Sequence, residues 1–155
     1  MNDVSLLQIL ACRAMGRSGD SRTKNAACVS ARGIDIYGVN GPPGSIAMPD
    51  GEDKYDWFVH AEAAAIAHAA ACGYSTVGMT MHALWASCPS CATLIAASGI
   101  EEVVTLKRLH DLTPERWQEK VATGLRILAA GGVKVTMFDG ELGLPLMFNG
   151  EMVDL

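Results

Sequence analysis

The chain carries a histidine at position 60 and a cysteine pair at 88 and 91, and these can serve one metal ion only if two separate segments fold back to a common point. Cys88-Pro89-Ser90-Cys91 sets two thiols at the start of a helix, because Pro89 lacks an N–H that would find no intrahelical partner there anyway. The remaining N–H groups of such a start favour thiolate over thiol, the form that binds metal. His60 heads a second helical stretch and supplies a third ligand, which leaves the fourth position of a zinc ion open to water. Glu62 lies two positions further on, where a helix points it well away from the histidine. It is free to move protons. Taken singly, the Cys-x-x-Cys segment also reads as a redox pair and His60 as a packed or surface histidine. The order His-x-Glu, strand, Cys-x-x-Cys favours zinc.

Hydrophobic spacing extends this local reading into an architecture. Residues 4–15 repeat at helical spacing, and Gly16, Ser18, Gly19 and Asp20 end that helix. Residues 26–31 and 34–39 read as two strands of a hairpin turning at Arg32-Gly33. A loop rich in Gly and Pro follows from Asn40 to about Asp56 without periodicity, and a loop of that length in a compact domain is usually functional or disordered. Residues 60–72 are almost all alanine or apolar, so this helix is expected to be buried on most faces against a sheet. Strands over 79–84, 102–106 and 133–138 alternate with helices over 89–98 and from Pro114 to about Ala130, the latter with Thr113 as its N-cap. A hairpin followed by crossovers predicts a three-layer αβα sandwich, class α/β, around a central mixed five-stranded sheet.

At 155 residues the chain is expected to be a single domain, 1–155, burying roughly two thirds of its unfolded surface. Its five cysteines do not make a paired disulfide framework, and Cys12, Cys28 and Cys72 fall in apolar stretches as expected reduced core residues. No apolar run approaches the roughly eighteen residues of a membrane span, and the N-terminus lacks a secretory signal. The expectation is a cytoplasmic protein with no membrane partner. A net charge of −5 argues against a large nucleic-acid footprint. The nearest basic group is Arg13, Arg17, Arg22, Lys24 and Arg32; a solvated helix face accounts for the first two, whereas Arg22 and Lys24 sit in a turn that can reach a phosphate.

With these residues in place the sequence resembles the cytidine and deoxycytidylate deaminase superfamily, and most closely its deoxycytidylate (dCMP) deaminases. The resemblance rests on Ser18-Gly19-Asp20 leading to Thr23-Lys24, on Gly38-Val39-Asn40-Gly41-Pro42-Pro43-Gly44, on His60-Ala61-Glu62, and on Cys88-x-x-Cys91-Ala92. Residues 98–104 and 130–133 continue it. It implies a cytidine deaminase-like fold, Zn2+ held by His60, Cys88 and Cys91, and Glu62 as the general acid and base that converts a dCMP-type nucleotide to the deoxyuridine nucleotide with release of ammonia. By the same resemblance the loop at Asn40 and Gly41 contacts sugar and phosphate, with Thr23 and Lys24 as nearby candidates, and Ala61 is a further expected substrate contact. Trp85 and His82 are expected to flank the base, although a large aromatic in a sheet is as readily core. Family positions usually held by asparagine, tyrosine, a small residue and proline are Ala64, His82, Leu84 and Ser87 here.

Other substrates within the superfamily remain open at this point: a modified dCMP, a nucleoside, a purine base or nucleotide, or an adenosine in RNA. So does a non-catalytic zinc-stabilised module that binds nucleotides, against which Glu62 argues. The apolar helices imply a homo-oligomer, and the resemblance implies a dimer or hexamer.

Overall fold

A computed structural model describes residues 2–31, 33–44 and 46–155; Arg32, placed above in the hairpin turn and the basic group, lies outside them. Helix α1 (Asp3–Arg17) begins at Asn2, whose side chain accepts from the Ser5 N–H, and turns Leu7, Leu10, Ala11 and Ala14 inward at spacings of three and four. Strands β1 (Ala26–Ala31) and β2 (Ile34–Val39) form the expected hairpin, with Ala26 opposite Val39. The short helix α2 (Lys54–Trp57) interrupts the Gly/Pro-rich loop, capped by Asp53. Then come α3 (Ala61–Ala71), β3 (Thr80–Ala83), α4 (Pro89–Ala97), β4 (Glu102–Leu106), α5 (Lys107–Asp111), α6 (Glu115–Ala130), β5 (Lys134–Phe138), and a C-terminal hairpin of β6 (Pro145–Phe148) and β7 (Glu151–Asp154).

The main sheet has the order β2-β1-β3-β4-β5. Its first two pairings are antiparallel, and β3-β4 and β4-β5 are parallel, as the crossovers through α4 and α6 demand. The two-residue period of a strand divides the core between its faces. Ala26 and Cys28 join Val104, Leu106, α1 and the C-terminal hairpin on one side, while Ala27, Val29, Met81 and Val103 meet α3, α4 and α6 on the other. The sheet is thus flanked by helices on both faces, with the C-terminal hairpin added to the α1 layer.

Three expectations need correction. Thr113 does not cap α6: Pro114 holds that position, and the buried Thr113 hydroxyl accepts from the Trp85 indole at 2.9 Å and donates to the Leu109 carbonyl at 3.3 Å. Helix α3 is buried along Ala61, Glu62, Ala64, Ala65 and Ala69 only, and Ala67, His68, Ala70 and Ala71 on the other faces of its C-terminal half are exposed. Of the three cysteines expected in the core, only Cys28 is there; Cys12 and Cys72 are exposed, one on the outer face of α1 and one ending α3. Apolar neighbours in sequence do not make an inward face when the helical phase points outward.

Candidate metal centre and cleft

The two halves of the donor set sit at the starts of α3 and α4, on the same side of the sheet. His60 and Cys88 are the residues immediately before each helix, in extended conformation, and neither side chain caps its own helix. Both stay available for an external ligand. Cys91 follows in the first turn of α4 and is buried. His60 Nδ1 lies 3.4 Å from Cys88 Sγ and 3.5 Å from Cys91 Sγ, and all three donor atoms fall within 4.8 Å of one another. A tetrahedral zinc with bonds of about 2.0 Å to nitrogen and about 2.3 Å to sulfur spaces those atoms at about 3.5 Å. The donors therefore fit zinc in both chemistry and spacing.

Backbone contacts fix both helix starts. A Cβ on Gly38 of β2 would lie 2.3 Å from the Ala61 carbonyl oxygen and 2.4 Å from the Ala65 nitrogen, so only glycine lets α3 come this close to the sheet. On the other side, a Cβ on Gly124 of α6 would lie 2.0 Å from the Ser87 carbonyl oxygen, which presses α6 directly onto the segment carrying Cys88.

The electrostatics follow from burial and proximity. Without metal, Cys88 is held well below the usual thiol range, first by the hydrogen bond from Cys91 and then by His60, with burial opposing. Its partner Cys91 is pushed up by that same hydrogen bond and by burial. His60 is raised, chiefly by its hydrogen bond to Cys88. The Glu62 carboxyl is 3% exposed, and burial raises it above the ordinary carboxylate range, opposed by its own backbone amide and the charge of His60.

His60, Ala61, Glu62 and Cys88 open into a cleft of about 460 Å³. Thr23, Asn40 and Trp85 also line it. Trp85 is held rigidly by its bond to Thr113 and by edge-on packing against Phe148, with ring centroids 5.1 Å apart, and Trp117, at 6.4 Å. Asn40 is mostly committed to structure. Its Oδ1 accepts from Ser18 Oγ at 2.6 Å and from the Asn25 N–H at 2.7 Å, and its Nδ2 donates to the Thr23 carbonyl at 2.7 Å, leaving one N–H for a ligand.

Lys24 and Gly41 are not among the lining residues. Lys24 Nζ donates to the Ser18 carbonyl at 3.1 Å, and Gly41, at φ +154°, exchanges backbone hydrogen bonds with Val59 while packing on Gly19. His82 is also elsewhere, buried on the α1 face with Nε2 2.8 Å from Asp3 Oδ1.

The cleft gains residues that sequence spacing did not select. Asp20 accepts from Lys54 Nζ at 2.7 Å and from the backbone N–H groups of Arg22 and Thr23, which ties α2 to the opposite wall. Arg116, Trp117 and Lys120 come from α6, Tyr55 from α2, Phe58 from the position that ends α2, and Asn149 from the β6–β7 turn. One signal was present: Arg116 and Lys120 stand four apart beside a tryptophan, so they share one helical face.

A mixed sheet presenting one imidazole, two thiols and a buried carboxyl at two helix starts makes an α/β domain whose donor set fits zinc. Residues 1–107 match the family described as the cytidine and deoxycytidylate deaminase zinc-binding region, and the chain belongs to that family. Among solved structures it is similar to the dCMP deaminase of cyanophage S-TIM5 in complex with dCMP and dUMP, at TM-score 0.69 and 22% identity over 86% of this chain and 94% of that one. The apo form of the same phage protein gives TM-score 0.68, also at 22% identity, covering 87% and 96%. A diaminohydroxyphosphoribosylaminopyrimidine deaminase/5-amino-6-(5-phosphoribosylamino)uracil reductase from Thermotoga maritima gives 0.59 at 21%, covering 88% of this chain and 37% of that one. At these identities the likeness is one of fold, which it shares with the deaminases. No curated protein sequence matches the chain significantly.

Proposed function

We propose that the protein is a zinc-dependent hydrolytic deaminase of a dCMP-type nucleotide. The observation that carries this reading is the convergence of His60, Cys88 and Cys91 beside a buried Glu62, at the floor of a cleft large enough for a nucleotide. His60 Nδ1 and the two sulfurs would hold the ion. Zinc bound there would supply Lewis acidity that brings the pKa of a water toward neutrality. Glu62 takes one proton from the water that attacks C4 of the base and passes it to N3, then takes the second proton from the new C4 hydroxyl and delivers it to the amine, which leaves as ammonia as the C–N bond breaks and the C4 carbonyl forms. The products are the deoxyuridine nucleotide and ammonia. Ala61 and Trp85 confine the base, and Thr23 and the remaining Asn40 N–H face the sugar side of the cleft.

Among the described residues no helix is long and apolar enough to cross a membrane, and all five cysteines are free, which supports a cytoplasmic setting. Leu94 on α4, Tyr74 and Val77 are exposed apolar side chains, which supports a homo-oligomer. The substrate is tested by measuring ammonia release from dCMP, CMP, deoxycytidine, 5-substituted dCMP and guanine, with zinc supplied or chelated. Zinc-dependent turnover is expected to be fastest on dCMP or its 5-substituted form. Preference for a free nucleoside or for guanine would overturn the substrate assignment.

A further inference from the structure

The family match ends at residue 107, yet Arg116, Trp117 and Lys120 of α6 and Asn149 of the β6–β7 turn line the cleft. We propose that this C-terminal hairpin sets the charged end of the cleft: Asn149 aims the Arg116 guanidinium so that Arg116, Arg22 and Lys120 take the phosphate of a nucleotide. The inference rests on the deaminase reading for its substrate.

Charge is the first argument. The chain carries a net −5, but Arg22, Arg116 and Lys120 all face the cleft, and no carboxylate of the described residues lies within 4.0 Å of any of them. The other lining ions are accounted for, since Asp20 pairs with Lys54 at 2.7 Å and Glu62 is buried beside His60. Three cations without a carboxylate partner in one cleft of an acidic protein suit a dianion, with Lys120 resting over the Trp117 ring 4.9 Å from its centroid.

Geometry is the second argument. Asn149-Gly150 has φ of 54° and 86°, the pair of left-handed residues that a tight two-residue hairpin turn requires. That turn leaves the Asn149 Oδ1 free to accept from Arg116 Nη2 at 2.6 Å. Its backbone is tied to the opposite wall as well: the Asn149 N–H donates to Thr23 Oγ1 at 3.3 Å, the Gly150 N–H to the Arg22 carbonyl at 2.7 Å, and the Lys24 N–H to the Met147 carbonyl at 3.0 Å. The hairpin thus holds Arg22 and Arg116 to one point, and Lys120 stands one helical turn along from Arg116. A guanidinium has five N–H donors, so the one spent on Asn149 fixes its plane and leaves the rest for phosphate oxygens. Arg116 is a binding residue in this scheme, and Asn149 is a positioning residue acting through it.

The test uses the zinc-loaded protein, its Arg116→Gln variant and its Asn149→Gly variant, the latter keeping the positive φ while removing the carboxamide. Kinetics on dCMP and deoxycytidine are read beside calorimetric binding of dUMP, deoxyuridine and inorganic phosphate. Arg116→Gln is expected to raise KM for dCMP and Kd for dUMP by about ten- to a hundredfold, the loss of one charge-assisted bond or bond pair. The preference for dCMP over deoxycytidine should fall by the same factor, through KM rather than kcat. Asn149→Gly should shift the same quantities in the same direction by a smaller factor. Equal weakening of dUMP and deoxyuridine, unchanged dUMP and phosphate binding in Arg116→Gln, or a wild type that does not prefer dUMP to deoxyuridine would each overturn the inference. If the protein deaminates no cytosine compound the reaction assignment falls, and the binding arm still decides the anion site.

Discussion

Replacing Gly38 by alanine should disturb the metal centre from a strand that contributes no ligand. The added Cβ would lie 2.3 Å from the Ala61 oxygen and 2.4 Å from the Ala65 nitrogen, about 1 Å inside the 3.4 Å where ordinary contact begins. Those two atoms are partners in the hydrogen-bond ladder of α3, and Ala61 and Ala65 are fully buried, so no flexible side chain can yield. The helix start must move instead, carrying His60 and Glu62 with it. Overpacking of this kind costs about 1–3 kcal/mol, offset by the roughly 0.5–1 kcal/mol by which alanine outdoes glycine in a strand. The net loss is at most about 2.5 kcal/mol, a fall in Tm of up to about 10 °C for a chain of this length. A displacement near 1 Å at a catalytic site costs about a hundredfold in rate. The assay is thermal unfolding of zinc-loaded and chelated protein, with zinc content and turnover on the same samples. The gap between loaded and chelated Tm should narrow in Gly38→Ala. Gly16→Ala is the control: this helical glycine has nothing within 4 Å of its Cβ position, so alanine should stabilise by up to about 1 kcal/mol without touching zinc. Wild-type Tm, zinc content and rate in Gly38→Ala would show that Gly38 does not set the position of α3.

Three further outcomes are expected. Gly124→Ala gains about 1 kcal/mol of helix propensity but drives a Cβ to 2.0 Å from the Ser87 oxygen, so zinc retention should fall despite the better helix former, as metal titration will read. Asp20 lies below its ordinary pKa because hydrogen bonds from Lys54 and from the Arg22 and Thr23 amides outweigh the opposing effect of burial. Its contribution is therefore full above pH 3.8 and lost as pH falls through the lower folded value; Asp20→Asn should cost about 1–3 kcal/mol at neutral pH and flatten the acid limb of a stability–pH curve. Thiol alkylation of the zinc-loaded protein should modify the exposed Cys12 and Cys72, chelation should add Cys88, whose thiol is held low, and Cys28, pushed up to about 12 by burial, should stay silent throughout. Mass spectrometry of the peptides checks all four.

The sheet and the donor triad were legible because both obey short-range rules. Strands β1, β2 and β4 begin and end where residue alternation and turn glycines place them, and His60, Cys88 and Cys91 come together because each marks a helix start. The walls of the cleft were not legible in the same way. Asn149 reaches Arg116 across 33 positions and Thr23 across 126, and no local period encodes such pairings. Short elements were hidden for a related reason: α2 and α5 are a turn or so long, too brief for a hydrophobic stripe, and β6–β7 is a satellite hairpin rather than part of the main sheet. Gly38 looked like one residue of a family motif. Its physical role, admitting the backbone of α3, needed coordinates.

On the proposed reading Glu62 moves the protons of a hydrolytic deamination in a zinc site that it does not help to hold. Parallel measurement of zinc content and ammonia release from dCMP in the wild type and Glu62→Gln tests it most directly. About one zinc per chain is expected in both proteins, with a loss of turnover on the order of 10²–10⁴ in the variant. Glu62→Gln that keeps its zinc and deaminates dCMP at the wild-type rate would contradict that reading.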